Sequence, residues 1–171
     1  QLRAEAAWRT IEFISDLHLS EATPRTFDVW SRYLRQSTAD AVFILGDLFE
    51  VWVGDDARTP GSFEQRAANV LQDAASRRPV SFMAGNRDFL VGAAMLRDCG
   101  VIALCDPTLL DAWGHRLLLT HGDELCLADT AYQKYRAEVR TDTWRHAVLD
   151  KPLAERQQLA RQMRDASEAA K

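Results

Sequence analysis

The sequence predicts an α/β fold in which a parallel sheet is followed by antiparallel strands and then by helices. Three short apolar runs, at 11–15, 41–45 and 80–84, are rich in Val, Ile and Phe, which is typical of buried strands. Stretches with helical spacing separate these runs, so the first half has the order β-α-β-α-β and implies a parallel sheet. Three more apolar runs lie within 101–120, joined by short links, and these indicate an antiparallel portion.

The helices between the predicted strands begin at recognisable residues. The first runs from Pro24 to Ser37, because proline suits a first turn and Thr23 can cap it. Its apolar face is formed by Phe27, Trp30 and Leu34. The spacing predicts a second helix over 62–77 and a short third one over 90–98.

The remaining segments are a loop, a hairpin and a helical tail. The loop at 48–60 is rich in polar and aromatic residues, and Gly114 marks a hairpin turn between the last two strands. From Thr130 onward the pattern is helical. We therefore divide the chain into a core at 1–129 and a helical segment at 130–171.

The composition is that of an ordinary globular domain. The chain has 171 residues, of which 47% are hydrophobic and 27% charged, and its formal net charge is −4. No apolar stretch reaches the roughly 18 residues of a membrane-spanning helix, and the first ten residues lack the apolar core of a secretory signal. An acidic balance suits cation binding, and we expect no nucleic-acid partner. Three cysteines without metal-binding spacing indicate free thiols in a reducing cytoplasm.

Four short polar motifs each follow an apolar run, at the point where a predicted strand ends. They are Asp16-Leu17-His18, Gly46-Asp47, Gly85-Asn86-Arg87-Asp88 and His121-Gly122-Asp123. The carboxyl ends of parallel strands are where open α/β sheets bind ligands. Carboxylate, amide and imidazole groups suit manganese, zinc or iron. Five donors at four strand ends therefore predict two metal ions, held by Asp16, His18, Asp47, Asn86 and His121.

Each motif alone is weak evidence for a metal site. In an extended chain, Asp16 and His18 point the same way and can reach one ion, but this spacing is common. The Asp47 carboxylate has two oxygens and can bridge two ions, although Gly-Asp is usually a turn. Each residue taken singly is more often a capping or turn residue than a ligand. All four motifs at strand ends, in this order, are hard to explain as turns alone.

The order of the motifs resembles the calcineurin-like metallophosphoesterase family, whose pattern is D-x-H, G-D, G-N-H-[DE] and H. The resemblance covers residues 11–123 at the level of these motifs, and it implies a sandwich of mixed sheets flanked by helices. It also implies that Asp16 and His18 bind one ion, Asn86 and His121 the second, and Asp47 both. Two such ions can clamp a phosphate and activate water.

One departure from this pattern concerns the reaction. Arg87 stands where many relatives have His. A guanidinium cannot act as a general acid near neutral pH, but it can bind phosphoryl oxygens in a fork. That fits a leaving group which is already good, such as a phosphate leaving from a pyrophosphate. The sequence thus indicates pyrophosphate cleavage.

Longer runs at 46–56, 85–92 and 121–136 resemble the UDP-2,3-diacylglucosamine hydrolase family of lipid A biosynthesis. With the helical tail, this resemblance covers nearly the whole chain. It implies two manganese ions and hydrolysis of the substrate pyrophosphate to UMP and 2,3-diacylglucosamine 1-phosphate, with water attacking the phosphorus that bears uridine. It also implies a lipid-nucleotide substrate and a cytoplasmic protein that associates peripherally with the anionic inner membrane.

The resemblance assigns roles to individual residues. Asp47, Asn86 and Arg87 are implied to be catalytic. The substrate-binding positions implied are Asn86, Arg87, Asp129, Ser167 and Lys171.

The resemblance also gives the helical segment a role, as a lid inserted over the acyl chains. Residues that could line its apolar surface, or simply pack in a core, are Trp144, Ala147, Val148, Leu149 and Leu153. Residues that could meet phosphates or a membrane face, or simply be solvated, are Arg136, Arg140, Arg161 and Arg164.

A closing G-H-x-H motif of the family, which supplies two further metal ligands, is absent from the sequence. None of the four histidines belongs to such a pair. We therefore expect the chain to be part of a longer protein, carrying five of seven family ligands and an exposed apolar sheet edge. Two other hypotheses remain open. One is a different phosphodiesterase or nucleotidase of the superfamily, and the other is a non-catalytic scaffold of the same fold.

Overall fold

A computed structural model describes residues 1–169, with side chains as far as Arg164. Its helices are α1 (Pro24–Gln36), α2 (Phe63–Ala75), α3 (Ala93–Cys99), α4 (Thr130–Val139), α5 (Asp142–Leu149) and α6 (Leu153–Ala169). Its strands are β1 (Leu2–Arg3), β2 (Ile11–Ile14), β3 (Ala41–Leu45), β4 (Val80–Met83), β5 (Ile102–Leu104), β6 (Thr108–Ala112) and β7 (His115–Leu119). Short 3-10 turns span Asp55–Ala57 and Asp123–Leu125.

The first sheet is parallel and contains four strands in the order β2-β3-β4-β5. The predicted parallel core is therefore confirmed. The placement of β5 among the antiparallel strands was wrong, because β5 pairs in parallel with β4. The reason is the crossover through α3, which returns the chain to the same edge in the same direction.

The second sheet has the order β1-β6-β7 and is mixed. Strands β6 and β7 form the predicted antiparallel hairpin, with Trp113 and Gly114 at positive φ in its turn. The two-residue strand β1 pairs in parallel with β6 and was not predicted, since two residues give no periodic pattern.

The two sheets pack face to face, and the helices cover the outer face of the first. Between the sheets, Phe43 and Met83 contact a cluster that includes Leu110 and Leu119. The opposite face of the parallel sheet buries apolar residues of α1, α2 and α3. This is the predicted sandwich of mixed sheets flanked by helices.

The start of α1 differs in one detail from the prediction. Thr23 occupies the N-cap position and Pro24 the first turn, but the Thr23 side chain makes no capping hydrogen bond. Its hydroxyl bonds instead to the backbone of Ser20. Helix α2 shows the usual cap, because Ser62 Oγ accepts from Gln65 N at 3.1 Å.

The helical segment packs on the main core. Val139 and Val148 are buried in the same cluster as α1 to α3, and Trp144 packs against it at 5.9 Å from the Phe89 ring. Val148 and Trp144, two of the residues that could line the apolar surface of a lid, thus pack in or against the hydrophobic core. In the second sheet, β7 pairs on one side within residues 1–169, and Leu118 is 66% exposed.

Candidate metal centre

Four strands deliver the predicted donors to one edge of the molecule. Strands β2, β3 and β4 run parallel, so the residues that follow them emerge together. His121 reaches the same place from the end of β7 in the other sheet, and its Nε2 lies 3.1 Å from Asn86 Oδ1. The structure thus brings the residues of all four motifs together.

The backbone at this edge adopts a conformation that side chains disfavour. Asp16, His18 and Asp47 have φ values of 55°, 48° and 51°, in the left-handed region. Hydrogen bonds across the loops hold them there. Asp16 N donates to Gly46 O at 3.1 Å, and His18 N donates to Asp47 O at 3.1 Å. Strain of this kind concentrates at functional sites, where the surrounding structure sustains it.

Asp47 lies at the centre of the cluster. One ligand atom each from Asp16, Asp47 and His121 falls within 4.8 Å of the others. Asp47 Oδ1 is 3.6 Å from His121 Nε2, and its Oδ2 is 3.8 Å from His18 Nε2. The two carboxylate oxygens therefore face different histidines.

The His121 ring shows which groups face the centre. Its Nδ1 lies 2.9 Å from the Leu45 carbonyl, which can only accept, so Nδ1 donates its proton there and Nε2 faces the centre. Nε2 lies 3.1 Å from Asn86 Oδ1 and 3.6 Å from Asp47 Oδ1. Imidazole, amide and carboxylate groups are the ligand types that divalent metal ions take, so this donor set fits such an ion.

The burial of the Asp47 carboxyl also favours a cation at this site. Asp47 is 3% exposed. Desolvation raises the pKa of its carboxyl above the ordinary range, against the lowering effects of the Arg87 backbone N–H and the two nearby histidines. A cation at the site would stabilise the ionised carboxylate that burial disfavours.

Two glycines permit this close packing. A Cβ at Gly85 would overlap Asp47 Oδ1, and one at Gly46 would overlap the His121 ring. The strand ends can therefore approach one another only where these positions lack a side chain.

Arg87 lies beside the donors. Its backbone N–H donates to Asp47 Oδ1 at 2.9 Å, and its Nη1 lies 3.9 Å from Glu50 Oε1. Glu50 Oε2 is also 3.3 Å from His18 Nδ1. The sequence interpretation did not single out Glu50, although it lies within the run GDLFE that follows β3.

Asp88 was also not predicted, and its carboxyl connects the loop after β3 to the loop after β4. It is fully buried and accepts from Gly85 N at 2.8 Å, Leu48 N at 2.8 Å and Phe49 N at 3.3 Å. Burial raises the pKa of this carboxyl to about 6, against the three N–H donors that lower it. The acidic position of the G-N-H-[DE] pattern was the only signal that could have identified it.

The helical segment is anchored beside the centre by arginines. Arg136 Nε donates to Asp123 Oδ2 at 2.9 Å, and Arg140 Nη2 donates to the Gly85 carbonyl at 2.9 Å. Tyr132 donates to the same Asp123 oxygen at 2.5 Å. Arg136 and Arg140 therefore do not form a solvated helix face.

The predicted substrate-binding residues are only partly described. Asp129 is exposed at the start of α4, where its Oδ1 accepts from Tyr132 N at 2.9 Å as an N-cap. The side chain of Ser167 and all of Lys171 lie outside the described residues.

Comparison with known proteins agrees with this geometry. The family model described as calcineurin-like phosphoesterase matches residues 10–163. Three curated relatives, each aligned over 94% of this chain, are named UDP-2,3-diacylglucosamine hydrolase. They are from Xanthomonas axonopodis pv. citri (48% identical), Chromobacterium violaceum (47%) and Xanthomonas oryzae pv. oryzae (47%). The alignments cover 65%, 68% and 65% of those relatives, so the chain spans about two thirds of their length.

Proposed function

The chain belongs to the calcineurin-like phosphoesterase family, and from that premise we propose that it hydrolyses UDP-2,3-diacylglucosamine to UMP and 2,3-diacylglucosamine 1-phosphate with two manganese ions. The observation that carries the proposal is the convergence of carboxylate, amide and imidazole ligand atoms around Asp47 at the ends of four strands. The names of the curated relatives support the substrate.

The residues of the centre divide between two ions in this proposal. Asp16 and His18 hold one, Asn86 and His121 hold the other, and Asp47 holds both. When bound, such a pair supplies Lewis acidity that lowers the pKa of water and neutralises charge on phosphoryl oxygens.

The chain itself prepares these ligands. The Leu45 carbonyl fixes the His121 tautomer, and Glu50 lies near the second ring nitrogen of His18. Asp88 holds the loops after β3 and β4 at a fixed separation through three backbone N–H groups. The donors are thus placed before any substrate binds.

Arg87 determines which bonds the site cleaves most readily. Its guanidinium remains charged and can bind phosphoryl oxygens in a fork, but it has no proton to give to an alkoxide near neutral pH. The proposed leaving group, a sugar phosphate, needs no such proton. Glu50 limits the range of positions that Arg87 can take. Asn86 and Arg87 therefore contact the phosphates in this proposal.

The helical segment and the loop before it supply the apolar side of the site. Leu125 and Leu127 are 69% and 75% exposed, and Tyr135 and Leu149 are partly exposed. We assign this surface to the acyl chains, with the segment 130–171 as a lid, and assign Asp129, Ser167 and Lys171 to the sugar and its phosphate. The protein would act at the anionic cytoplasmic face of the inner membrane. None of the helices that the structure describes has the length and apolar character needed to cross a membrane.

The test is release of UMP from UDP-2,3-diacylglucosamine in detergent micelles, measured with manganese and with EDTA. We expect release with manganese, none with EDTA, and far slower turnover of UDP-N-acetylglucosamine, which lacks acyl chains. Equal turnover of the water-soluble substrate would favour a general nucleotidase. No release from either substrate would contradict the proposal for this chain and favour the scaffold.

A further inference from the structure

Arg140 joins three parts of the molecule at the edge of the metal centre. It follows α4, in the helical segment, and its Nη2 donates to the Gly85 carbonyl at 2.9 Å. The same nitrogen lies 3.6 Å from Asp123 Oδ2, and the guanidinium carbon lies 5.5 Å from the centre of the Phe89 ring. One side chain of the helical segment therefore contacts both the loop after β4 and the loop after β7.

The contact at Gly85 falls on a turn with little freedom to move. Asp88 accepts the Gly85 N–H at 2.8 Å, and Arg140 donates to the Gly85 carbonyl. The α-carbon between them packs on Asp47 without room for a side chain. Both polar groups of Gly85 are thus fixed, and the next residue is Asn86, a proposed ligand of the second ion.

The contact at Asp123 lies close in sequence to His121, the other proposed ligand of the second ion. Asp123 lies two residues after His121 and is 8% exposed. Tyr132 and Arg136 donate to its Oδ2, which ties the loop after β7 to α4. The Arg140 guanidinium also lies near this oxygen, and because it donates to Gly85 as well, it links the loop after β7 to the loop after β4.

We propose that Arg140 is a positioning residue that couples docking of the helical segment to the geometry of Asn86 and His121. This inference rests on the proposed function, because it assigns both residues to one metal ion. The pair Asp16 and His18 lies outside its reach, since none of the contacts shown for Arg140 within the described residues involves β2 or the loop after it. Loss of Arg140 should therefore loosen one ion and spare the other.

Three variants separate the hydrogen bond from charge and packing. Arg140→Met keeps the length and the contact with Phe89 but removes the donor. Arg140→Lys keeps the charge and one donor without the planar fork. Arg145→Met is the matched control, because Arg145 lies in α5 and the described residues show no hydrogen bond or ion pair for its side chain.

The experiment is a manganese titration of each variant by calorimetry, with the melting temperature of the metal-free protein measured in parallel. We expect Arg140→Met to weaken one of two sites by about tenfold and to leave the other unchanged. Arg140→Lys should recover part of the loss, and Arg145→Met should bind as the unsubstituted chain does. Backbone amides at 85–87 should exchange hydrogen faster in Arg140→Met.

A double-mutant cycle assigns the affected site. In a chain that carries Asn86→Ala, Arg140→Met should cause no further loss of affinity, because both changes act on the same ion. Equal affinities of Arg140→Met and Arg145→Met for manganese would overturn the inference and leave the proposed function standing. Equal weakening of both sites with a lower melting temperature would show a merely structural role. No manganese binding by the unsubstituted chain would overturn the proposed metal centre and this inference together.

Discussion

Asp47 is the residue on which the centre depends, and its environment opposes its charge. Its backbone is left-handed, its side chain is buried, and burial raises its pKa. A bound cation would favour the ionised carboxylate that burial disfavours, which is the usual balance between stability and function at an active site.

Asp47→Asn should abolish tight manganese binding without destabilising the metal-free protein. The amide oxygen can still accept the Arg87 N–H, while the disfavoured buried charge is removed. We expect the affinity to fall at least about 100-fold, by analogy with the loss of one partner of a buried charged contact. Calorimetry and urea unfolding measure the two effects. Asp28→Asn, on an exposed position of α1, is the control, and a large loss of metal-free stability in Asp47→Asn would contradict this account.

Asp88→Asn should destabilise the fold. An asparagine presents an NH₂ group to one of the backbone N–H donors that Asp88 accepts, leaving a buried donor unpaired. The expected loss is about 2 kcal/mol in the free energy of unfolding at pH 8. Urea denaturation should show a lower midpoint with an unchanged slope, relative to Asp28→Asn. A loss no greater than that of the control would show that Asp88 does not hold the loops.

The meeting of the four motifs at one edge could be predicted at this scale, whereas the contacts that support them could not. Asp16 and His121 are recognisable because ligand-type residues follow apolar runs in a familiar order. Glu50 and Asp88 act through contacts between loops that only the folded chain creates. The positive φ values are likewise set by hydrogen bonds between loops, which no local pattern encodes.

At the scale of elements, the loop after β3 holds the last helix. Arg156 of α6 is 3% exposed and forms a two-pronged ion pair with Asp56, while its Nη1 donates to the Val53 carbonyl at 2.5 Å. Gly54 lies against the Arg156 guanidinium. Its φ of 134° and ψ of 156° form a conformation that is essentially limited to glycine. The loop that follows one ligand strand thus also anchors the helical segment.

Gly54→Ala should release α6. A Cβ at this position would overlap the Arg156 guanidinium as well as strain the backbone. Gly61→Ala is a close control, because Gly61 also has positive φ but open space where its Cβ would be. We expect losses of about 3 kcal/mol for Gly54→Ala and about 1 kcal/mol for Gly61→Ala. Hydrogen exchange over 153–164 should rise in Gly54→Ala alone, and equal exchange in both variants would contradict the anchor.

The long elements were predictable because their patterns repeat. The apolar spacing of α2 spans several turns, and β3 is apolar throughout. Strand β1 was missed because two residues carry no pattern, and β5 was misplaced because no local pattern shows that α3 brings the chain back parallel to β4.

At the scale of the whole molecule, metal binding should be coupled to folding. The donors come from two sheets and four loops, so the unfolded chain cannot reproduce the site. Manganese at 100 times its dissociation constant should add about 2.7 kcal/mol to the free energy of unfolding. Thermal unfolding with manganese, with EDTA and with Asp47→Asn measures this. A melting temperature that manganese leaves unchanged would contradict the proposed centre.

The division into a core at 1–129 and a lid at 130–171 remains a prediction, as do the roles of individual residues. What the fold adds is the continuity of the two parts, since Val139 and Val148 share one core with α1 to α3. That continuity could not be inferred from the amphipathic pattern of the helices, which is the same for a lid and for a packed helix.

We propose that water attacks the uridine-bearing phosphorus of the pyrophosphate, and isotope labelling tests this directly. The chain is incubated with UDP-2,3-diacylglucosamine and manganese in water enriched in ¹⁸O, and both products are analysed by mass spectrometry. We expect one ¹⁸O atom in UMP and none in 2,3-diacylglucosamine 1-phosphate. Label in the lipid phosphate, or no manganese-dependent product at all, would contradict it.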